Sequence, residues 1–136
     1  MSKVKCQYCN LLAKLVDGSV IYPHLPALKS KYFYLCKNCG AYCGCHPNST
    51  RVLGTLADKT LRTLRKMAHS YFDKIWQSNR MSRRAAYSWL AYQMKINVKD
   101  THISWFNDEQ CKMVIDLSKR YLDKESKRST KNQQTK

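Results

Sequence analysis

Two pairs of cysteines, each separated by two residues, constrain this chain more than any other feature of its sequence. The pairs are Cys6 with Cys9 and Cys36 with Cys39, and 26 residues lie between them. A Cys-x-x-Cys turn presents two thiolates to one ion, and two such turns complete the tetrahedral four-sulfur site of structural Zn²⁺. The redox use of this motif needs a βαβ context, which the sequence lacks. The spacing predicts one structural zinc ion bound by these four cysteines.

Three further metal-binding side chains leave the ligand set open. Cys43, Cys45 and His46 follow the second pair, and any of them could replace a thiolate of that pair or bind a second ion. A second site would need four ligands, and His24 is the one obvious addition. We favour the alternative in which Cys43 and Cys45 pack as small residues beside the zinc site.

The segment between the cysteine pairs predicts the hairpin of a zinc ribbon. Residues 20–22 and 32–35 are β-branched and aromatic, as in short strands. Asn10 and Gly40 directly follow the two pairs, where a residue able to take positive φ is needed. Residues 1–46 are therefore predicted to form a zinc-ribbon module.

A long amphipathic helix is predicted after this module. Thr55 is a plausible N-cap, and Asp58 three residues later would complete a capping box. Apolar residues then recur at steps of three and four over about 20 residues. They are Leu61, Leu64, Ala68, Tyr71, Phe72, Ile75 and Trp76.

Two more helices and a polar tail complete the expected fold. The second helix runs from Ser82 to Met94, and Asn107 caps the third. Residues 47–123 thus form a three-helix body, whereas residues 124–136 carry no apolar face and are predicted to be a disordered basic tail. The predicted class is α+β, with the zinc ribbon packed on the helical body.

The charge of the chain favours polyanionic partners. Lys and Arg number 25 against nine Asp and Glu, which gives a net charge of +16. Such a field attracts DNA, RNA or an acidic protein surface. No apolar run approaches the roughly 18 residues of a membrane span, and the reduced cysteines of a metal site fit the cytoplasm. We expect a cytoplasmic protein without a membrane partner.

A row of basic residues on the predicted helices is the candidate nucleic-acid surface. Lysines and arginines on one helix face can contact successive phosphates. The candidates are Arg62, Arg65, Lys66, Arg83 and Arg84. In the simpler alternative they form an ordinary solvated face. Trp89 falls off the inner stripe of its helix and is the aromatic residue best placed for an exposed contact.

His69 and Asp73 invite a catalytic interpretation. They stand four residues apart, close enough for the carboxylate to orient the imidazole as a general base in a nuclease. The sequence offers no carboxylate cluster for Mg²⁺, no Walker loop and no zinc-deaminase signature. We therefore expect no enzymatic activity and no small-molecule substrate.

Four motifs in a fixed order resemble a known family. They read CKNCGAYCGCH, LGTLADKTLRTLRKMAHSYFDKIW, SRRAAYSWLA and HISWFNDEQCKMVI. Over residues 4–118 the chain resembles the zinc-finger-containing domain family of phage and prophage genomes, a family of uncharacterised function. The resemblance implies the four-cysteine site and a mainly helical second half, and it implies no reaction.

Two functional hypotheses follow from the charge and from the resemblance. The leading one is a small, non-enzymatic, phage-encoded zinc-ribbon protein that binds nucleic acid in the host bacterial cytoplasm. The alternative is a phage inhibitor or modulator that binds an acidic surface of a host polymerase, nuclease or defence complex.

Overall fold

The chain has an α+β fold, as predicted, with strands in its first part and long helices in its second. The computed structural model describes the backbone of residues 4–78 and 81–134, and the side chains of residues 4–78 and 81–124. It divides into two compact units, Met1–Arg62 and Thr63–Lys136. No helix in the described ranges is long and apolar enough to cross a membrane.

A small antiparallel sheet organises the first unit. Its strands, in the spatial order β1-β2-β3, are β1 (Lys14–Asp17), β2 (Tyr32–Leu35) and β3 (Tyr42–Gly44). Lys14 lies opposite Leu35, and Phe33 lies opposite Gly44. The middle strand β2 confirms the prediction for residues 32–35. Its Tyr34 is buried among the side chains that surround the cysteine pairs.

The predicted strand at residues 20–22 is wrong. Residues 18–21 instead form a single helical turn, α1 (Gly18–Ile21), directly after β1. The Asp17 carboxylate accepts a hydrogen bond from the Ser19 backbone N–H at 2.8 Å and thereby caps this turn. The strand that pairs with β2 is therefore β1, which ends at Asp17. The Asp17 cap favours a helical turn here, although the segment contains β-branched residues that are typical of strands.

The first unit continues past β3 as far as Arg62. After β3 the chain turns back and runs antiparallel to it, so that Cys45 bridges Val52 and Tyr42 bridges Ala57. Tyr42 and Ala57 exchange two backbone hydrogen bonds of 3.1 and 3.0 Å. Residues 47–62 belong to the first unit, and the last four of them already form the start of a long helix.

The second half of the chain is helical. The helices are α2 (Lys59–Gln77), α3 (Arg83–Met94) and α4 (Asp108–Gln134), with 3₁₀ turns at Pro26–Leu28, Val98–Asp100 and Ile103–Trp105. The cap of α2 is Asp58 rather than the predicted Thr55. The Asp58 carboxylate accepts from the Leu61 N–H at 2.9 Å, so the helix begins one turn later than predicted.

The predicted start of the second helix near Ser82 and the predicted cap of the third helix at Asn107 are confirmed. The Ser82 hydroxyl accepts from the Ala85 N–H at 3.0 Å. The Asn107 side chain accepts from the Gln110 N–H at 2.9 Å, and the Gln110 side chain accepts in return from the Asn107 N–H at 3.1 Å. This reciprocal pair is the capping box that fixes the start of α4.

Helix α4 continues beyond its predicted end. Its backbone is helical to Gln134, whereas the sequence predicts disorder from Lys124. The segment is rich in good helix formers and contains no glycine or proline to end the helix. Of the predicted tail, residues 135–136 and all side chains after Lys124 lie outside the described residues.

The second unit is held by the apolar stripes of its three helices. The most deeply buried side chains include Ala68, Phe72 and Ile75 of α2, Ala86 and Leu90 of α3, and Cys111 and Val114 of α4. The rings of Phe72 and Tyr87 meet edge to face at 4.8 Å, which joins α2 to α3. The α2 positions belong to the periodic stripe of the sequence.

Candidate metal centre

The first cysteine pair lies in a tight turn that backbone hydrogen bonds close. The Cys6 N–H donates to the Leu11 carbonyl at 2.8 Å, and the Asn10 N–H donates to the Cys6 carbonyl at 2.8 Å. Asn10 adopts a left-handed conformation with φ of 65°. This conformation turns the chain back after Cys9, and asparagine tolerates it better than most residues.

The second pair repeats the geometry of the first. The Cys36 N–H donates to the Ala41 carbonyl at 2.8 Å, and the Gly40 N–H donates to the Cys36 carbonyl at 2.8 Å. Gly40 takes the same left-handed conformation, with φ of 73°. The predicted positive φ values after both pairs are therefore confirmed. The two turns have the same geometry, and each supplies two sulfurs.

The four sulfurs converge on one point. The Sγ atoms of Cys6, Cys9, Cys36 and Cys39 all lie within 4.8 Å of one another, and those of Cys9 and Cys36 are 3.6 Å apart. A tetrahedral Zn²⁺ with bonds of about 2.3 Å needs sulfurs about 3.8 Å apart. The donor set and its spacing fit one structural zinc ion, as predicted from the sequence.

The thiols of the cluster differ in acidity. A hydrogen bond from the Leu11 backbone N–H lowers the pKa of Cys9 to about 7. Hydrogen bonding to Cys9 raises the pKa of Cys39 to about 12. The thiols of Cys9 and Cys39 therefore do not ionise together on their own. A bound dication stabilises deprotonated thiolates. Metal binding at such sites is therefore linked to proton release.

The remaining metal-binding side chains do not form a second cluster. In the described ranges, no other set of three or more His, Cys, Asp or Glu side chains lies close enough to hold an ion. Cys43 belongs to β3, and Cys45 bridges Val52 in the neighbouring segment. Both pack against the apolar cluster around the cysteine pairs, in agreement with the packing interpretation. Burial in α4 raises the pKa of Cys111 to about 11.

Three of the five candidate nucleic-acid residues make structural contacts. Arg62 donates from Nη1 to the Ala57 carbonyl at 2.6 Å, and its guanidinium lies 3.9 Å from the ring centre of Tyr42. Arg65 donates from Nε and Nη2 to the Phe106 carbonyl, at 3.2 and 3.0 Å. These guanidiniums hold the chain segment before α2 and the segment before α4. Part of their donor capacity is therefore already used.

Arg83 is likewise engaged, whereas Lys66 and Arg84 are not. The Arg83 guanidinium lies 5.2 Å from the ring centre of Tyr87 and 5.7 Å from that of Trp76. Lys66 and Arg84 are exposed, and the structure shows no hydrogen bond or ion pair from their side chains to the residues it describes. Among the five candidates, these two have the most available charge.

His69 and Asp73 form the expected pair. Their nearest side-chain atoms, Nδ1 and Oδ2, are 3.6 Å apart, and the His69 side chain is 46% exposed. Asp73 also accepts a hydrogen bond from the Trp76 indole at 3.1 Å. The carboxylate therefore bridges two neighbours on one helix. This arrangement fits a solvated i, i+4 pair.

Two aromatic side chains lie together on the surface, and the sequence indicated only one of them as exposed. Trp89 of α3 packs beside Tyr121 of α4, with ring centres 5.3 Å apart and planes inclined by 59°. The sequence set Trp89 apart because it leaves the inner stripe of its helix. Tyr121, however, follows the apolar spacing of α4 and looks like a core residue. Only the tertiary structure brings the two rings together at the wall of a cleft.

Comparison with known proteins agrees with the metal centre. The model of the zinc-finger-containing domain family matches residues 2–121, which include all four cysteines and most of the helical part. No curated protein and no solved structure matches the chain. The sequence match and the convergence of four sulfurs both indicate one structural zinc. The chain belongs to the zinc-finger-containing domain family.

Proposed function

We propose that the protein is a small, non-enzymatic, zinc-ribbon protein that binds DNA or RNA. The observation that carries this proposal is the charge, because 25 Lys and Arg face nine Asp and Glu. Two of those nine carboxylates, Asp17 and Asp58, are used as helix caps. The acidic groups are therefore too few to neutralise the cations, and a polyanion would compensate the excess.

The zinc ion supports this function as a scaffold. Four cysteine ligands fill the tetrahedral shell, so no position remains for a water molecule or a phosphate oxygen. In this proposal the ion organises the first unit, and exposed cationic side chains contact the phosphates. Lys66 and Arg84 are the first candidates because their charges are the least engaged of the predicted set.

Binding measured at two salt concentrations tests the proposal. The wild-type protein should bind an oligonucleotide with an affinity that falls steeply between 50 and 200 mM salt (roughly tenfold or more if a few phosphates are contacted). The variant Lys66→Glu/Arg84→Glu should bind more weakly and with a smaller salt slope. Lys14→Glu/Lys99→Glu makes the same change in net charge at two other exposed lysines and is the matched control. Absence of binding to DNA and RNA at low salt contradicts the proposal.

The proposal includes no reaction, and a nuclease assay checks this part. Mg²⁺, Mn²⁺ and Zn²⁺ should each leave single-stranded and double-stranded substrates intact. Metal-dependent cleavage that disappears in a folded His69→Ala variant would instead establish the catalytic interpretation of the His69 and Asp73 pair.

Binding to a host protein is the second candidate, and exposed apolar side chains favour it. In the first unit, Leu11, Leu12 and Val20 are each more than half exposed. Such side chains can mark a protein interface. Origin in a phage, with action in the bacterial cytoplasm, belongs to both candidates and rests on the family resemblance.

A pull-down from nuclease-treated bacterial lysate separates the two candidates. Loss of all bound material after nuclease treatment supports nucleic-acid binding. Retention of one stoichiometric protein, abolished by Leu11→Lys/Leu12→Lys, supports the host-protein candidate.

A further inference from the structure

The second unit contains a cleft between α3 and α4 that the zinc site does not explain. Its volume is about 540 Å³, which lies within the range of small-molecule and nucleotide pockets. The walls combine the Trp89 and Tyr121 rings with polar and cationic side chains. None of the cysteines of the metal centre lines it. The cleft is therefore a separate candidate for ligand binding.

Helical spacing builds the two walls. Trp89 and Gln93 stand four residues apart on α3. On α4 the spacing i, i+3, i+4, i+7 places four lining residues on one face, namely Leu117, Arg120, Tyr121 and Lys124. The apolar stripe of α3 lies elsewhere, at Ala86 and Leu90. On α3 the cleft-facing row thus lies on a different side from the apolar stripe, whereas on α4 Tyr121 continues the apolar spacing at the edge of the cleft.

The aromatic pair leaves ring surface exposed to the cleft. Trp89 and Tyr121 are both only partly buried, and the inclination of 59° between their planes prevents full face-to-face stacking. A third flat ring can therefore stack on part of either face. Every nucleobase offers such a face, and base–aromatic stacking is tolerant of sequence.

Charged and amide groups surround the rings. Arg120 and Lys124 are exposed cations, and Arg120 pairs with Asp116 at 3.3 Å through two largely exposed side chains. Asp123 also lines the cleft, so its walls carry two cations and one carboxylate. The Gln93 amide can donate to and accept from the edge of a base. Rings flanked by cations match a base attached to its phosphate.

We propose that this cleft binds an unpaired base of single-stranded nucleic acid, with Trp89 and Tyr121 stacking on the base and Arg120 and Lys124 contacting the adjacent phosphates. This inference rests on the proposed nucleic-acid function and specifies the form of the nucleic acid. A base inside a duplex is stacked on both faces and cannot enter the cleft, whereas a base of a single strand can. The cleft therefore gives a preference for single strands that charge alone does not.

The test compares single-stranded and duplex oligonucleotides of the same sequence at one salt concentration. Trp89→Ala should weaken single-strand binding by about tenfold and leave duplex binding unchanged. Trp89→Phe, which keeps a flat ring, should recover most of the loss. Trp105→Ala is the matched control, because Trp105 is 50% exposed beside Lys99 but belongs to another cleft. It should leave both affinities unchanged.

A second measurement tests the proposal even if Trp89→Ala does not fold. Photocrosslinking of the wild-type protein to a single strand that carries 5-iodouracil should give adducts on the peptides with Trp89 or Tyr121. The surface variant Lys124→Glu, which disturbs no packing, should reduce both the adducts and the single-strand affinity. Circular dichroism and thermal melting establish that each variant is folded.

The outcomes separate this inference from the proposed function. Single-strand binding that is insensitive to Trp89→Ala, with adducts only at other sites, overturns the inference and leaves the proposed function intact. An equal loss for single strand and duplex also overturns it. Binding of poly-glutamate that depends on Trp89 would assign the cleft to an acidic protein segment instead. If the wild type binds neither form of nucleic acid, the proposed function itself fails.

Discussion

A β-carbon added at Gly18 would lie 1.7 Å from the carbonyl oxygen of Leu28. The contact is with backbone, so one of the two segments would have to move. Gly18→Ala should therefore reduce the free energy of unfolding of the first unit by about 1–3 kcal/mol, as overpacking does. Gly44→Ala is the control, because its nearest neighbour would be Phe33 at an ordinary 3.5 Å.

Chemical denaturation of the two glycine variants with zinc bound is the measurement. Equal midpoints for Gly18→Ala and Gly44→Ala would show that the backbone near Leu28 adapts at no cost. That result would contradict the close approach seen between α1 and the turn at Pro26–Leu28.

Individual arginines show what a charge pattern leaves open. Arg62 and Arg65 belong to the basic row of the sequence, yet their guanidiniums bind the carbonyls of Ala57 and Phe106. The acceptors lie 5 and 41 residues away along the chain. Sequence spacing identifies which side of a helix is charged. It does not reveal which of those charges the fold itself uses.

At the scale of elements, helix α2 depends on one carboxylate. Asp58 accepts the Leu61 N–H at 2.9 Å. Asp58→Ala should lower stability by about 1 kcal/mol, because that N–H loses its acceptor at the helix start. Asp58→Asn keeps an acceptor oxygen and should retain most of the stability. Thermal melting of the three proteins at one zinc concentration measures the difference. If Asp58→Ala and Asp58→Asn melt together, the cap is not what starts this helix.

The helices were more predictable than the strands, of which only β2 was predicted, and the reason is physical. A helix is specified by contacts three and four residues apart, so the stripe of α2, the start of α3 near Ser82 and the cap at Asn107 could be read from the sequence. A short strand is specified by its distant partner. β1 and β3 were missed because Lys14–Asp17 has only two apolar residues between two charged ones and Tyr42–Gly44 contains glycine and cysteine. Both are strands because they flank β2.

The metal centre was predictable although its ligands are far apart in the sequence. One ion imposes a long-range constraint that the sequence displays directly, in the spacing of the two pairs and in Asn10 and Gly40 after them. The aromatic cleft has no comparable signature. Trp89 and Tyr121 are 32 positions apart on different helices, and their pairing depends on how those helices pack.

For the whole molecule, zinc content distinguishes the four ligands from the other cysteines. Cys39→Ser should weaken zinc binding by more than about 100-fold, because a thiolate is lost from a closed shell. Cys43→Ser is the matched variant, and it should retain one zinc per chain. Native mass spectrometry measures both. If Cys39→Ser keeps its zinc and Cys43→Ser loses it, the fourth ligand is Cys43 and not Cys39.

The position of the metal centre along the chain has a consequence for biosynthesis. All four sulfurs reside in the first 39 positions, ahead of every long helix. Domains generally fold in order as they emerge from the ribosome. The nascent chain can therefore acquire its metal before the helical unit has been translated. We expect zinc starvation during synthesis to reduce the yield of protein more than chelation of the finished molecule does.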